Sequence, residues 1–262
     1  MTIAFAKAHA YGNDFIYVRA DDVPSASPGD LAREVCDRHT GIGGDGLILY
    51  TPTADGASMR LFNADGSRSE VSGNGVRGLA ALLLRDGPRD HLTIDTEGGV
   101  KRLEWVARDG ERHTFRAAMG LPEHLRQMTV TAAGERLEVA VMTFGNPQCV
   151  ALGSLPDEAR FQKLGPALER HEMFPERTNV EFARVESRDA VRILIWERGV
   201  GPTTSSGTGS CAALIAAAAF GGAARDANVI APGGRQRVEW RDDNVYLTGW
   251  AEVVFQGQWL RR

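Results

Sequence analysis

Two short stretches place a hydroxyl residue directly before a glycine-rich turn and an apolar run. Ser72-Gly73-Asn74-Gly75 opens one, and Ser206-Gly207-Thr208-Gly209 opens the other. A Gly-x-Gly turn lets backbone N–H groups converge at a helix start, where they lack internal partners and carry the positive end of the helix dipole. Such a start binds a carboxylate or another anion. One motif alone reads as a serine N-cap. Two motifs at matching places in two half-chains point to a shared site: the helix starts would face each other across one cleft, with Ser72 and Ser206 flanking the ligand.

Other polar turns fit that chemistry. "AYGNDF", "FNADGS", "FGNPQ" and "ERTNVEF" carry Asn13, Asn63, Asn146 and Asn179 at turns or strand edges. Asn at a turn often only folds back on its own backbone. Four of them, with Glu197-Arg198 in "WERGVG", supply donors and acceptors for a small zwitterion, Arg taking a carboxylate and Glu an ammonium. "WERG" alone reads as a strand end with a salt bridge. "GIGGDG" at 41–46 matches a dinucleotide fingerprint letter for letter, but a helix precedes it and the strand "LILY" follows. The fingerprint needs the reverse order, so this is a tight turn rich in positive-φ positions.

Composition narrows the function classes. Of 262 residues, 43% are apolar and 24% charged, as in a globular chain able to bury a large core. The net charge of −4 offers no basic field for nucleic acid or an anionic membrane. The histidines (His9, His39, His91, His113, His124 and His171) lack metal-ligand spacing, and the cysteines Cys36, Cys149 and Cys211 form no C-x-x-C pair. Only Lys7, Lys101 and Lys163 could form a Schiff base, and none lies in a glycine-rich phosphate turn. No metal and no cofactor is expected. The N-terminus lacks a secretory pattern and the apolar run at 211–220 is too short to span a bilayer, so the expected location is cytoplasmic.

The elements that must position these residues are mostly strands: short, often alternating runs bounded by Gly, Asp or Pro. Helix patterns are fewer. "PGDLAREVCDRH" begins at Pro28; "NGVRGLAALLLRDG" and "SCAALIAAAAFGG" are apolar nearly all round, as for helices inside a core. "LPDEARFQKLGPALERH" reads as a surface helix interrupted at Gly165-Pro166. Strands, a helix, strands, a buried helix and strands occur in that order twice. The expected fold is therefore α+β, with two similar domains that each wrap strands around one apolar helix: residues 1–118, joined by a closing strand at 250–262, and residues 119–249. "TVTAAGERL" is a turn within the second.

Together, "KAHAYGNDF", "CDRHTGIGGDGLI", "FNADGSRSEVSGNGVR", "GNPQCV", "RTNVEF" and "WERGVGPTTSSGTGSCAA" resemble the diaminopimelate epimerase family across essentially the whole chain. The resemblance implies two pseudo-twofold related halves, each a curved mixed sheet or barrel around a central helix. It implies cofactor-independent inversion of an amino-acid α-carbon, LL to meso for diaminopimelate in lysine and peptidoglycan biosynthesis. It also implies a small zwitterionic substrate held by Asn13, Asn63, Gly73, Asn74, Asn146, Asn179, Glu197, Arg198, Gly207 and Thr208. Its catalytic positions fall on Ser72, Ser206, Glu197 and Gln148. The expected protein partner is a second copy of the chain, in a homodimer.

The chain departs from the family where chemistry is done. A cysteine normally precedes each glycine-rich turn, one thiolate removing the α-proton while the opposing thiol delivers another; here both are serine. Gln148 replaces a histidine, Gly78 stands where another Cys is common, and Pro202 replaces a Glu. A thiol titrates near pH 8.5 and a helix start lowers it, whereas a serine hydroxyl is a far weaker acid. Three readings stay open: an epimerase made inert by paired Cys→Ser changes, a natural relative using hydroxyls or acting on another amino acid, and a non-catalytic amino-acid binder. Gln148, Gly78 and Pro202 favour natural divergence.

Overall fold

The computed structural model describes residues 2–23, 27–70 and 72–260. Position 71, just before the first serine motif, and the outermost residues of the expected domain ranges, 1 and 261–262, lie outside these. The chain forms two compact units, one running to Ala117 and resuming at Gly249, the other spanning Ala118–Thr248.

In the first unit the elements are β1 (Thr2–Ala10), β2 (Asn13–Arg19), α1 (Pro28–Cys36), β3 (Gly46–Thr53), β4 (Gly56–Asn63), β5 (Arg68–Ser69), α2 (Gly73–Leu83), β6 (His91–Thr96), β7 (Gly99–Asp109) and β8 (Arg112–Ala118). The second unit holds β9 (Glu123–Ala132), β10 (Glu135–Thr143), β11 (Pro147–Leu152), α3 (Glu158–Glu169), β12 (Asn179–Ser187), β13 (Ala190–Glu197), β14 (Gly201–Thr203), α4 (Gly207–Phe220), β15 (Asp226–Ala231) and β16 (Gly234–Trp240). One long last strand, β17 (Val245–Leu260), gives its first residues to the second unit and the rest to the first.

The first unit is a closed mixed barrel. Its pairings run β1-β2-β3-β4-β6-β7-β8-β17 and return to β1. Two of these are parallel, β2 with β3 and β4 with β6, and a helix makes each crossover. The second unit repeats the plan: β9-β10-β11-β12-β13-β15-β16-β17, parallel at β11–β12 across α3 and at β13–β15 across α4. Backbone bonds from Met119 N–H to the Val245 carbonyl (2.8 Å) and from Val245 N–H to the Gly120 carbonyl (2.9 Å) close it ahead of β9.

Strand alternation explains the layers. In β3, Leu47 and Leu49 pack with Leu31 and Val35 of α1 outside the barrel, while Ile48 between them packs inward with Leu79 and Val76 of α2. In β12, Val180 and Phe182 join Phe161 and Leu164 of α3. The residue between them, Glu181, is turned to the α4 side. α2 is buried from Asn74 to Leu83 and α4 from Gly209 to Ala217, which is why neither sequence shows a polar face there.

The expected break at Gly165-Pro166 does not occur: α3 is continuous through both. Gly165 lies under the indole of Trp196, where a methyl carbon would sit 2.5 Å from Cδ2, so this glycine permits close approach and does not end the helix. Burial of Phe161, Leu164 and Leu168 outweighs the roughly 3 kcal/mol cost of an interior proline. The turn at 133–134 joins β9 to β10, with Ala133 (φ 49°) and Gly134 (φ 81°) both left-handed, as a two-residue hairpin demands.

Candidate functional site

In the first unit, Ser72 caps α2. Its Oγ accepts the Gly75 N–H at 3.2 Å, while its carbonyl accepts from Val76 N–H at 2.9 Å. Asn74, buried in the first turn, donates from Nδ2 to Asn13 Oδ1 at 3.1 Å and accepts from the Arg77 guanidinium. Asn13 in turn donates to Asp45 Oδ2 at 2.7 Å, and the Asp14 N–H reaches the same oxygen at 3.0 Å. Arg38 bridges Asp45 (2.8 Å) and Asp14 (2.7 Å), and Lys7 meets Asp14 at 2.8 Å. Burial alone would raise the Asp14 carboxyl, but the hydrogen bonds and charges of Arg38 and Lys7 win and hold it below its ordinary value. The result is a braced polar chain from the "GIGGDG" turn to the helix start. Asn63 pairs with Gly46 beside this chain, but its side chain is engaged elsewhere: its Nδ2 donates to Ser67 Oγ at 2.9 Å, closing the β4–β5 turn.

The first helix also explains Gly78. The Tyr17 hydroxyl occupies the place of a side chain there, with Cζ 2.9 Å from where a methyl carbon would lie. That hydroxyl donates to the Gly75 carbonyl at 2.9 Å, and burial pushes its pKa well above the usual phenol range.

In the second unit, Ser206 caps α4 in the same manner, its Oγ accepting the Gly209 N–H at 3.1 Å. The fully buried Gln148 lies 2.5 Å from Asn146 Oδ1 through its amide. With its nitrogen turned toward Glu181 it donates to both carboxylate oxygens at 3.2 Å, and its oxygen then accepts from Asn179 Nδ2 at 3.3 Å. Asn179 Oδ1 accepts the Arg198 N–H at 2.8 Å, and the Arg198 guanidinium donates to the Glu176 carbonyl at 3.2 Å. Glu197 ends β13 and its carbonyl accepts from Val200 N–H at 3.1 Å. Glu169 supports this turn, accepting from Trp196 Nε1 and Gly199 N–H, both at 3.0 Å. Gly207 and Thr208 form the half-buried first turn of α4, and Gly73 the exposed first residue of α2.

The second unit thus joins Asn146, Gln148 and Asn179 with the backbone of Arg198, and the first joins Asn13 with Asn74. Sequence reasoning missed Asp45, Glu169 and Glu181. Asp45 carried a usable signal, an acid inside a glycine-rich turn. Glu181 carried another, an acid alternating with Val180 and Phe182 in a strand buried on both faces. Among the described residues, no group of three or more His, Cys, Asp or Glu side chains could hold a metal ion, and no helix is long and apolar enough to cross a membrane.

Paired eight-stranded units, each around one serine-capped helix, define an α+β epimerase-type fold. A Bacillus anthracis phenazine biosynthesis protein of the PhzF family shares it with a TM-score of 0.72 at 14% identity, covering 100% of both chains. A hydroxyproline epimerase from Agrobacterium vitis shares it with a TM-score of 0.67 at 15% identity, covering 98% of this chain and 90% of that one. The family model for diaminopimelate epimerase matches residues 5–125 and 139–254. The chain is 44% identical to a diaminopimelate epimerase of Desulforudis audaxviator, covering 98% of this chain and 99% of that relative. It is 40% identical to diaminopimelate epimerase 1 of a Nostoc species, covering 98% and 100%. The chain belongs to the diaminopimelate epimerase family and is an epimerase-type isomerase.

Proposed function

We propose that this chain is a cofactor-independent epimerase of diaminopimelate, LL to meso, in lysine biosynthesis, with Ser72 and Ser206 standing where the family's paired thiols act. The observation that carries the reading is the matched construction of the two helix starts. Each serine hydroxyl accepts the N–H three residues on, at 3.2 Å for Ser72 and 3.1 Å for Ser206, so each sits at the positive end of a buried helix. In this reading the two hydroxyls serve opposite faces of one α-carbon. Asn13, Asn63, Asn74, Asn146, Asn179, Glu197, Arg198 and the turns at Gly73 and Gly207-Thr208 take up its carboxylate and ammonium groups. The helix starts stabilise the carbanion-like charge that develops.

What the chain lacks is a base whose pKa lies near neutral pH at either position. Cα hydrogen exchange of LL- and meso-diaminopimelate in heavy water tests the reading. We expect slow exchange by the chain as given and a rise of orders of magnitude in the Ser72→Cys, Ser206→Cys double variant, with Gln148→His adding to it. Equal exchange by the unaltered chain and the thiol variants would show that serine is a competent base here. The fully buried Gln148 where the family has an imidazole favours a second reading, an amino-acid receptor. Binding of diaminopimelate with no exchange in any variant would select it.

A further inference from the structure

The two serine-capped turns have the same backbone but different backing. A methyl carbon placed on Gly75 would lie 2.7 Å from Ile48 Cδ1, with Ser72 Oγ at 3.6 Å. One placed on Gly209 would lie 2.5 Å from Glu181 Oε1, with Ser206 Oγ at 3.0 Å. Ile48 and Glu181 are equivalent: each is the third residue of the second strand in a parallel pair, following Gly46 and Asn179 respectively. Each is also the inward residue between two that face the outer helix. One hydroxyl is therefore backed by hydrocarbon and the other by a fully buried carboxyl group.

We propose that Glu181 is a positioning residue of the Ser206 turn, a proton-holding group that sets the ionisation of whatever stands at position 206, with no counterpart at position 72. The partners agree with two states. Ionised Glu181 accepts from the Gln148 amide nitrogen, the Gln148 oxygen then accepting from Asn179 Nδ2 and, with the Asn146 amide also turned over, from the Asn146 nitrogen. Protonated Glu181 donates to the Gln148 oxygen in the opposite orientation, which leaves the Gln148 nitrogen to donate to Asn146 Oδ1. Burial, and then the charge of Glu197 at the end of β13, push the Glu181 carboxyl up to about 8. From β11, Val150 pairs with it on the inward face, while the Cys149 thiol lies on the α3 face with Val180 and is pushed up by burial and by the charge of Glu181. The first turns of α4, Gly207 to Cys211, bring no charged side chain. The assignment deepens the epimerase reading: it makes the two hydroxyl positions unequal, so that proton storage belongs to the Ser206 side.

The test needs no turnover. Ser206→Cys and Ser72→Cys each introduce one thiol into a chain whose own cysteines are buried, and iodoacetamide alkylation is followed from pH 6 to 10. The thiol at 206 is expected to ionise at higher pH than that at 72, or in two steps, because it shares its titration with Glu181. Adding Glu181→Gln should collapse the profile to one lower step and speed alkylation near pH 9 by about tenfold, with less than about twofold change at position 72. An unchanged profile at 206, or an equal change at 72, overturns the proposal. If Glu181→Gln does not fold, the two single thiols still decide, since matching profiles overturn it. Loss of all Cα exchange with the thiol asymmetry intact would sink the epimerase reading and leave this one standing.

Discussion

Glu181→Gln removes a titratable group from the core of the second unit without changing its shape, and its effect on stability should depend on pH. The carboxyl is held at about 8 in the folded chain against an ordinary 4.5, with burial as the largest cause and Glu197 next. Between those values the folded state keeps a proton that the unfolded state has released. Stability from this group is therefore full below pH 4.5, falls as pH rises toward 8, and is level above. Each pH unit in that interval costs about 1.4 kcal/mol, so the whole span is worth about 5 kcal/mol. Glutamine is neutral throughout and has no such slope. At pH 5 the variant should melt close to the wild type. At pH 9 it should be more stable, by roughly 10 °C or more at 2–4 °C per kcal/mol for a chain of this size. Scanning calorimetry of both proteins at half-unit steps from pH 5 to 9 gives the difference directly and cancels the other titrating groups. A difference in Tm that stays constant from pH 5 to 9 would refute the raised carboxyl.

Gly78→Ala should destabilise by about 1–3 kcal/mol in urea unfolding, despite alanine's better helix propensity, because the Tyr17 ring fills the space; Tyr17→Phe in the same chain should recover part of it. Asp45→Ala removes the acceptor that braces Asn13 and the Asp14 N–H; calorimetric titration should show diaminopimelate binding weakened about tenfold or more, and unchanged affinity would remove Asn13 from the ligand set. Glu169→Gln should accelerate amide hydrogen exchange at Gly199. Burial raises the Glu169 carboxyl, but the Trp196 and Gly199 hydrogen bonds with Arg170 and Arg177 outweigh it and hold it low. Its support is therefore present at neutral pH and fades as pH falls through that lowered value, so exchange at Gly199 in the wild type should quicken on acidification relative to neighbouring amides.

Much of this molecule was legible in the chain because the interactions concerned are short in sequence. A serine cap spans three residues, so Ser72 and Ser206 announced both buried helices. "TVTAAGERL" announced a turn, which the structure makes a two-residue hairpin at Ala133-Gly134, and runs without a polar face announced the two helices inside the barrels. What the tertiary structure decided involves residues far apart in sequence, brought together by strand register. Asp45 braces Asn13 only because the parallel pairing of β2 and β3 brings the "GIGGDG" turn beside the start of β2. Gly165 and Pro166 look like a break until the Trp196 ring is seen to need the space and the burial of Phe161 and Leu168 to hold the helix. Alternation sets Glu181 on the opposite face from Val180 and Phe182, but in a strand buried on both faces it does not say which face is inward. Only the packed barrel sets it beside Gly209 and strips it of water, and desolvation is the largest reason that an ordinary glutamate keeps its proton near neutral pH.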